Sequence, residues 1–193
     1  MYLKSKHILI SSSLFICVGG LLSPALAIDV SWSGTVVEAA CLLAPQSHNQ
    51  EVEFLDRSVK DFNFQPGHSS KKTFTITFND CDSSVFNTLA LSFSGENENN
   101  MMGDKDYFLA VKGTNAGRLG IGIIDVDGTP LKLGTMPSLG EFHNSGQGTI
   151  IESNNTLNLI FSAYVQSTPD AMMNKTVEPG KYSSSATFEI HYQ

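Results

Sequence analysis

The chain has 193 residues, of which 41% are hydrophobic, and its 12 Lys+Arg against 19 Asp+Glu give a formal net charge of −7. That acid excess excludes a nucleic-acid or anionic-membrane surface as the partner class. The length suits one well-buried domain and is short for two.

Residues 1–27 read as a cleaved export signal: Lys4 and Lys6 form a short basic start, Ile8 to Leu22 are apolar apart from small or hydroxylated residues, and Ala25-Leu26-Ala27 supplies a small-x-small cleavage pattern. The apolar stretch is about 15 residues long where a membrane span needs roughly 20, so an anchor is the weaker reading. The mature chain is expected to begin at Ile28, and the loss of Lys4 and Lys6 makes it still more acidic. Cys17 leaves with the signal, which turns three cysteines into the pair Cys41 and Cys81. In an exported chain an isolated pair reads as a disulfide, the alternative being two free thiols.

Along the rest of the chain apolar residues recur with period two, and no segment keeps a 3.6-residue period over three turns, so an all-β fold is predicted. An extended N-terminal run places Ile28, Val30, Trp32, Gly34 and Val36 on one face and Asp29, Ser31, Ser33 and Thr35 on the other. Phe74, Ile76 and Phe78 alternate with threonines, and Leu89, Leu91 and Phe93 repeat the pattern before a polar loop from Glu96 to Asn100 that reads as solvated. Leu119, Ile121 and Ile123 mark another strand, and Asp127-Gly128 reads as a two-residue hairpin turn with Leu131 and Leu133 opening the returning strand. The Gly- and Ser-rich stretch from Gly134 to Gly148 carries no strand pattern, Leu157, Leu159, Phe161 and Ala163 mark the next strand, and the last runs from about Ser183 to the end. Seven or more short strands with Gly, Asn and Pro turns predict a two-sheet sandwich.

Catalytic and metal chemistry finds little support. His48, His68, His143 and His191 show no metal-ligand spacing. Met101-Met102 and Met172-Met173 would point to opposite faces of a strand, which favours packing over copper binding. Asp125 and Asp127 read as turn residues without the further carboxylates of a calcium loop. No serine sits in a nucleophile elbow and no glycine cluster resembles a phosphate cradle, so neither an enzyme nor a cofactor is expected.

The final strand puts Ala186, Phe188, Ile190 and Tyr192 on one face, apolar up to the penultimate residue, where chain ends are usually polar and frayed. The leader around Trp32 is equally apolar. The runs Gly34-Thr35-Val36-Val37-Glu38-Ala39-Ala40-Cys41, Phe74-Thr75-Ile76-Thr77-Phe78-Asn79-Asp80-Cys81 and Leu119-Gly120-Ile121-Gly122-Ile123 come in one order with Pro179-Gly180 and the closing Ala186 to Gln193. Together they resemble the type 1 fimbrial proteins, pilus subunits of the bacterial chaperone–usher pathway. Gly180, fourteenth from the end, and the penultimate Tyr192 match that family's assembly signature.

The resemblance implies an incomplete immunoglobulin-like β-sandwich that lacks its last strand. It implies a pilin domain over 41–193, a donor-strand extension over 28–40 and the signal over 1–27. In such a subunit Gly180, Ala186, Phe188, Ile190 and Tyr192 belong to the groove that first receives a strand from a periplasmic chaperone and then one from a neighbouring pilin. Ile28, Val30, Trp32, Gly34 and Val36 form the strand given away, and an outer-membrane usher is the other partner. Strand addition to an exposed edge is a known recognition mode, with chaperone–pilin complementation among its examples. The expected function is a structural subunit of a surface fimbrium, contributing to cell adhesion and reached by export through the periplasm, in a minor or adaptor position. The alternatives are a tip adhesin, for which 28–193 leaves no room for an additional lectin domain, a fibre-terminating subunit, and a copper–zinc dismutase, which would need clustered histidines.

Overall fold

The computed structural model describes residues 31–36, 38–135 and 149–193. The export segment 1–27, Ile28, Val30 and nearly all of the stretch from Gly134 to Gly148 lie outside the described residues. The chain divides into Met1–Val36 and a compact unit, Val37–Gln193. Residues 31–36 have no regular secondary structure, and Trp32 and Val36 are exposed.

The compact unit is all-β with short helical turns. Among the described residues its strands are β1 Leu42–Leu43, β2 Lys72–Asn79, β3 Thr88–Gly95, β4 Phe108–Ala110, β5 Lys112–Gly113, β6 Leu119–Asp125, β7 Thr149–Ile150, β8 Leu157–Ser167, β9 Tyr182–Ser183 and β10 Ala186–Tyr192. One sheet has the order β1-β2-β8-β6-β4, a second has β10-β3-β7, and β5 and β9 form a small separate ladder. Every ladder is antiparallel. The period-two pattern holds where one face meets water: in β8 Leu159, Phe161, Ala163 and Val165 are buried, while Asn158 and Ile160 are exposed.

The sheets meet through aromatic rings. Phe93 of β3 lies edge-on to Phe161 of β8 at 5.1 Å and to Phe74 of β2 at 6.2 Å, and Phe188 of β10 reaches the same Phe93 at 6.4 Å. Edge-to-face pairs of this kind add roughly 0.5–1.5 kcal/mol beyond the area they bury. The last strand is therefore tied to the deepest part of the core.

Strand β6 is buried on both faces. Gly120 lies under Met101 and Phe108, and Gly122 under Tyr164, so that a Cβ on Gly122 would come within 2.7 Å of the Tyr164 ring. The glycines in the Leu-Gly-Ile-Gly-Ile run leave room for the side chains that cover the second face.

Three local expectations are corrected. The hairpin after β6 is longer than two residues: Asp125 N–H bonds Thr129 O, enclosing residues 126–128, with Gly128 at φ +92°. Its return makes a single bridge, Ile124 to Pro130, flanked by the bonds of Asp125 N–H to Thr129 O and Leu131 N–H to Ile123 O, before Leu133 turns away to bond Asp106 O. The loop from Glu96 to Asn100 is structured, since Glu98 is buried, its backbone bonds Phe108 O and its carboxylate accepts from Asn100 N–H. Met172 and Met173 lie on a helix, α2 (Pro169–Asn174), begun by Thr168 whose hydroxyl accepts from Ala171 N–H and ended by Lys175 in the left-handed region. Met173 is exposed and Met172 covers Gly67. A single helical turn, α1 (Lys60–Asn63), precedes β2.

Cys41 and Cys81 form a disulfide that closes a 40-residue separation. In the chain-entropy treatment a loop of this size stabilises the fold by roughly 4 kcal/mol. In the strand-complemented chain, Cys41→Ser/Cys81→Ser is expected to lose about that much, read as a lower urea midpoint with a steeper slope as the unfolded chain expands.

Candidate functional site

Among the described residues the C-terminal strand has a partner on one side only. Gln193 and Thr88 exchange both backbone hydrogen bonds, at 3.0 and 2.8 Å, and the register continues as Tyr192↔Leu89, Ile190↔Leu91 and Phe188↔Phe93. Because hydrogen-bonded and non-bonded pairs alternate along an antiparallel ladder, residues 187, 189 and 191 spend their backbone groups on β3. Those of Phe188, Ile190 and Tyr192 point away from it. The side chains of the same three residues are half-buried and pack on the core. Ala186 is exposed, beyond the end of that packed row.

Residues 51–59 form no strand. Val52 and Phe54 alternate inward onto the core, while Glu51, Glu53 and Leu55 are exposed. Among the described residues, no backbone group of 51–57 has a hydrogen-bond partner. The segment has the side-chain alternation of a strand and no ladder. Between it and residues 177–184 lies a cleft of about 930 Å³ floored by Phe62, Leu119 and Ile121.

The walls are fixed from behind. Asn63 donates to Val177 O and accepts from Val177 N–H, both at 3.0 Å, and Asn115 donates to Glu178 O at 2.9 Å and accepts from Glu178 N–H at 3.0 Å. Two amide side chains thus substitute for neighbouring strands. Gly180 packs directly against Thr114, where an added Cβ would lie 2.6 Å from Thr114 Cβ, and β9 pairs with β5 just beyond. On the other wall Ala44 N–H bonds Thr77 O at 2.9 Å, and Ser47 Oγ accepts from Thr77 N–H at 2.9 Å. The disulfide anchors Cys41 above them.

Side chains join the walls at each end. Tyr192 Oη donates to Cys41 O at 3.0 Å, and the Phe54 and Tyr182 rings lie 6.4 Å apart. Burial raises the pKa of both phenols above the ordinary tyrosine value, helped at Tyr182 by the negative charge of Asp56. The cleft can therefore take one extended backbone, with apolar side chains inward and peptide groups at the rims.

Of the residues singled out in the sequence, Phe188, Ile190 and Tyr192 lie together on the open edge, and Gly180 lines the cleft. Trp32, Gly34 and Val36 lie in the separate extended run. Sequence reasoning missed Val52, Phe54, Tyr182, Asn63 and Asn115. The Val52-Glu53-Phe54 alternation could have revealed the second wall; nothing local marks the two asparagines. Among the described residues no group of three His, Cys, Asp or Glu could hold a metal ion.

A family model described as Fimbrial protein matches residues 30–193. The chain belongs to this family. It is 39% identical over 171 residues to the fimbrial adapter PapK of Escherichia coli, covering 88% of this chain and 90% of that protein. It is 31% identical to the Fimbria A protein of Serratia marcescens, over 85% and 83% of the two chains. Among solved structures, the P pilus rod subunit PapA superposes with a TM-score of 0.59 at 18% identity, covering 80% of this chain and all of that one. A subunit of a chaperone–usher pilus superposes at 0.60 with 20% identity, over 88% and 98%. The pilin fold expected from the sequence is thus observed, and the chain is a structural subunit of a surface fimbrium.

Two substitutions probe how the wall is held. Asn115→Ala leaves the Glu178 peptide without its partners and should cost about 1–3 kcal/mol, with faster amide exchange at Glu178. Gly180→Ala should cost a similar 1–3 kcal/mol by overpacking against Thr114, and Thr114→Gly in the same chain should recover much of it.

Proposed function

We propose that this subunit polymerises by strand exchange: the cleft between residues 51–59 and 177–184, together with the open edge of the C-terminal strand, accepts an extended segment, first from a periplasmic chaperone and then from the next pilin. The observation that carries the reading is two unpaired backbone edges, Phe188 to Tyr192 on β10 and residues 51–57, the latter lining a cleft with an apolar floor. Such an edge in water is an aggregation hazard unless it is covered. An inserted strand would make ladder bonds to both rims and bury its inward side chains.

The run Ile28, Val30, Trp32, Gly34 and Val36 is our candidate for the strand this subunit donates in turn. Its described members Trp32 and Val36 are exposed, and Gly34 has no atom near its missing Cβ, as befits a segment that packs elsewhere. Burying four such side chains is worth about 1.5–3 kcal/mol each before ordering costs. Processing after Ala27, passage through the periplasm and delivery by an outer-membrane usher complete the reading. Similarity to a fimbrial adapter supports a minor or adaptor position.

Export of the chain with and without a chaperone of this pathway tests the proposal. Alone, the chain is expected to aggregate or be degraded; with the chaperone it should be recovered as a soluble one-to-one complex. Ile190→Asp, which puts a carboxylate on the apolar edge, should reduce that recovery at least tenfold. A stable monomer that unfolds cooperatively without any partner would overturn the reading.

A further inference from the structure

If the cleft takes a strand, that strand has two faces, and the cleft treats them differently. Inward residues meet the apolar floor. Outward residues lie in line with the outward positions of the two flanking edges, since side chains on neighbouring strands at the same face are neighbours.

Those flanking positions are acidic. On one rim of the cleft, Glu51 and Glu53 are exposed between the inward Val52 and Phe54; on the open edge of β10, Glu189 is exposed between the inward Phe188 and Ile190. Lower in the cleft, Asp56 and Glu178 face Arg57 and Lys181. Arg57 is already held by Asp61 at 3.0 Å, and Glu178 by Arg118 at 3.1 Å. Among the described residues this leaves Glu51, Glu53, Asp56 and Glu189 without an ion pair, against Lys181 alone. His191, the other polar residue on the outward face of β10, is bonded to Ser92 Oγ at 2.7 Å.

Resting on the strand-acceptor reading, we infer that the occupant of this groove is a strand of another protein carrying Lys or Arg at its outward positions, and that the acidic rims select against a second copy of this chain. The chain's own candidate donor run from Ile28 to Ala40 contains Asp29 and Glu38 and no basic residue, and Asp29 falls on its outward face. Insertion of that run would set like charges side by side across the ladder, which is destabilising, whereas a basic outward face would pair with the rims. Rims of one sign also attract a basic segment at a distance, and salt weakens that attraction.

The full chain, refolded in the presence of synthetic peptides, tests this. One peptide copies Ile28 to Ala40; the other carries Asp29→Lys, Ser31→Lys and Ser33→Lys, which alter only outward positions. The lysine peptide is expected to bind about tenfold more tightly at low salt. The difference should shrink to within about twofold at 0.5 M salt, where the screening length falls to a few Å. Glu51→Gln/Glu53→Gln in the chain should abolish most of the difference while leaving affinity for the unaltered peptide equal or higher. Equal affinity for the two peptides, or a preference that survives the Glu→Gln changes, overturns the inference and leaves the acceptor cleft standing. Failure of both peptides to bind overturns the acceptor reading itself.

Discussion

Everything distinctive about this subunit depends on a sheet edge without a partner. β10 is held by a full ladder to β3 on one side and presents the backbone groups of Phe188, Ile190 and Tyr192 on the other. The same three residues face the core, so the edge is both hydrogen-bond deficient and apolar. Neither condition is tolerated for long in water. The two together specify the missing element closely: one extended segment, alternating, of about strand length.

A groove of apolar residues would close on itself if its walls were free. Here the walls are immobilised from outside. Asn63 and Asn115 grip the backbone of Val177 and Glu178 as a strand would, and Gly180 and β9 are packed against the segment from Lys112 to Asn115. On the opposite wall the disulfide and the bonds of Ala44 and Ser47 to Thr77 fix residues 41–47, leaving 51–57 as the stretch with unspent peptide groups. Rigidity behind the walls keeps the empty edge from collapsing, which lowers the ordering cost of any strand that enters.

Much of this was legible in the sequence because β-structure writes itself in period two. Phe74-Ile76-Phe78, Leu89-Leu91-Phe93 and Phe188-Ile190-Tyr192 each announced a half-buried strand, and each is one. The apolar C-terminus marked a strand that packs on the core, and only together with the family resemblance did it point to an open edge rather than to the last strand of a complete sandwich. Residues 51–57 were passed over because their alternation is short and edged with acids, and because a segment awaiting its ladder has no turn signals to bound it. The asparagine clasps were out of reach for a different reason: Asn63 and Val177 are 114 residues apart, and only the folded chain brings an amide side chain against that backbone. The hairpin after β6 differs because its loop holds three residues, 126–128, and the chain leaves β6 at Leu133 to bond Asp106 O, a long-range contact that Asp127-Gly128 does not announce.

The period of two also separates affinity from choice of partner. Side chains at alternate positions of an entering strand reach the floor of Phe62, Leu119 and Ile121, where any well-fitting apolar residue gains by burial, so that face discriminates weakly between related strands. On the proposed reading, the remaining positions stay at the surface beside Glu51 and Glu53, where burial offers little and charge can discriminate. Because neighbouring residues of a strand point to opposite faces, the two properties can change independently, one residue apart. A subunit can thus keep the common apolar register of its family and still take its neighbour from a different chain, with discrimination placed on the outward face, where it costs the core nothing.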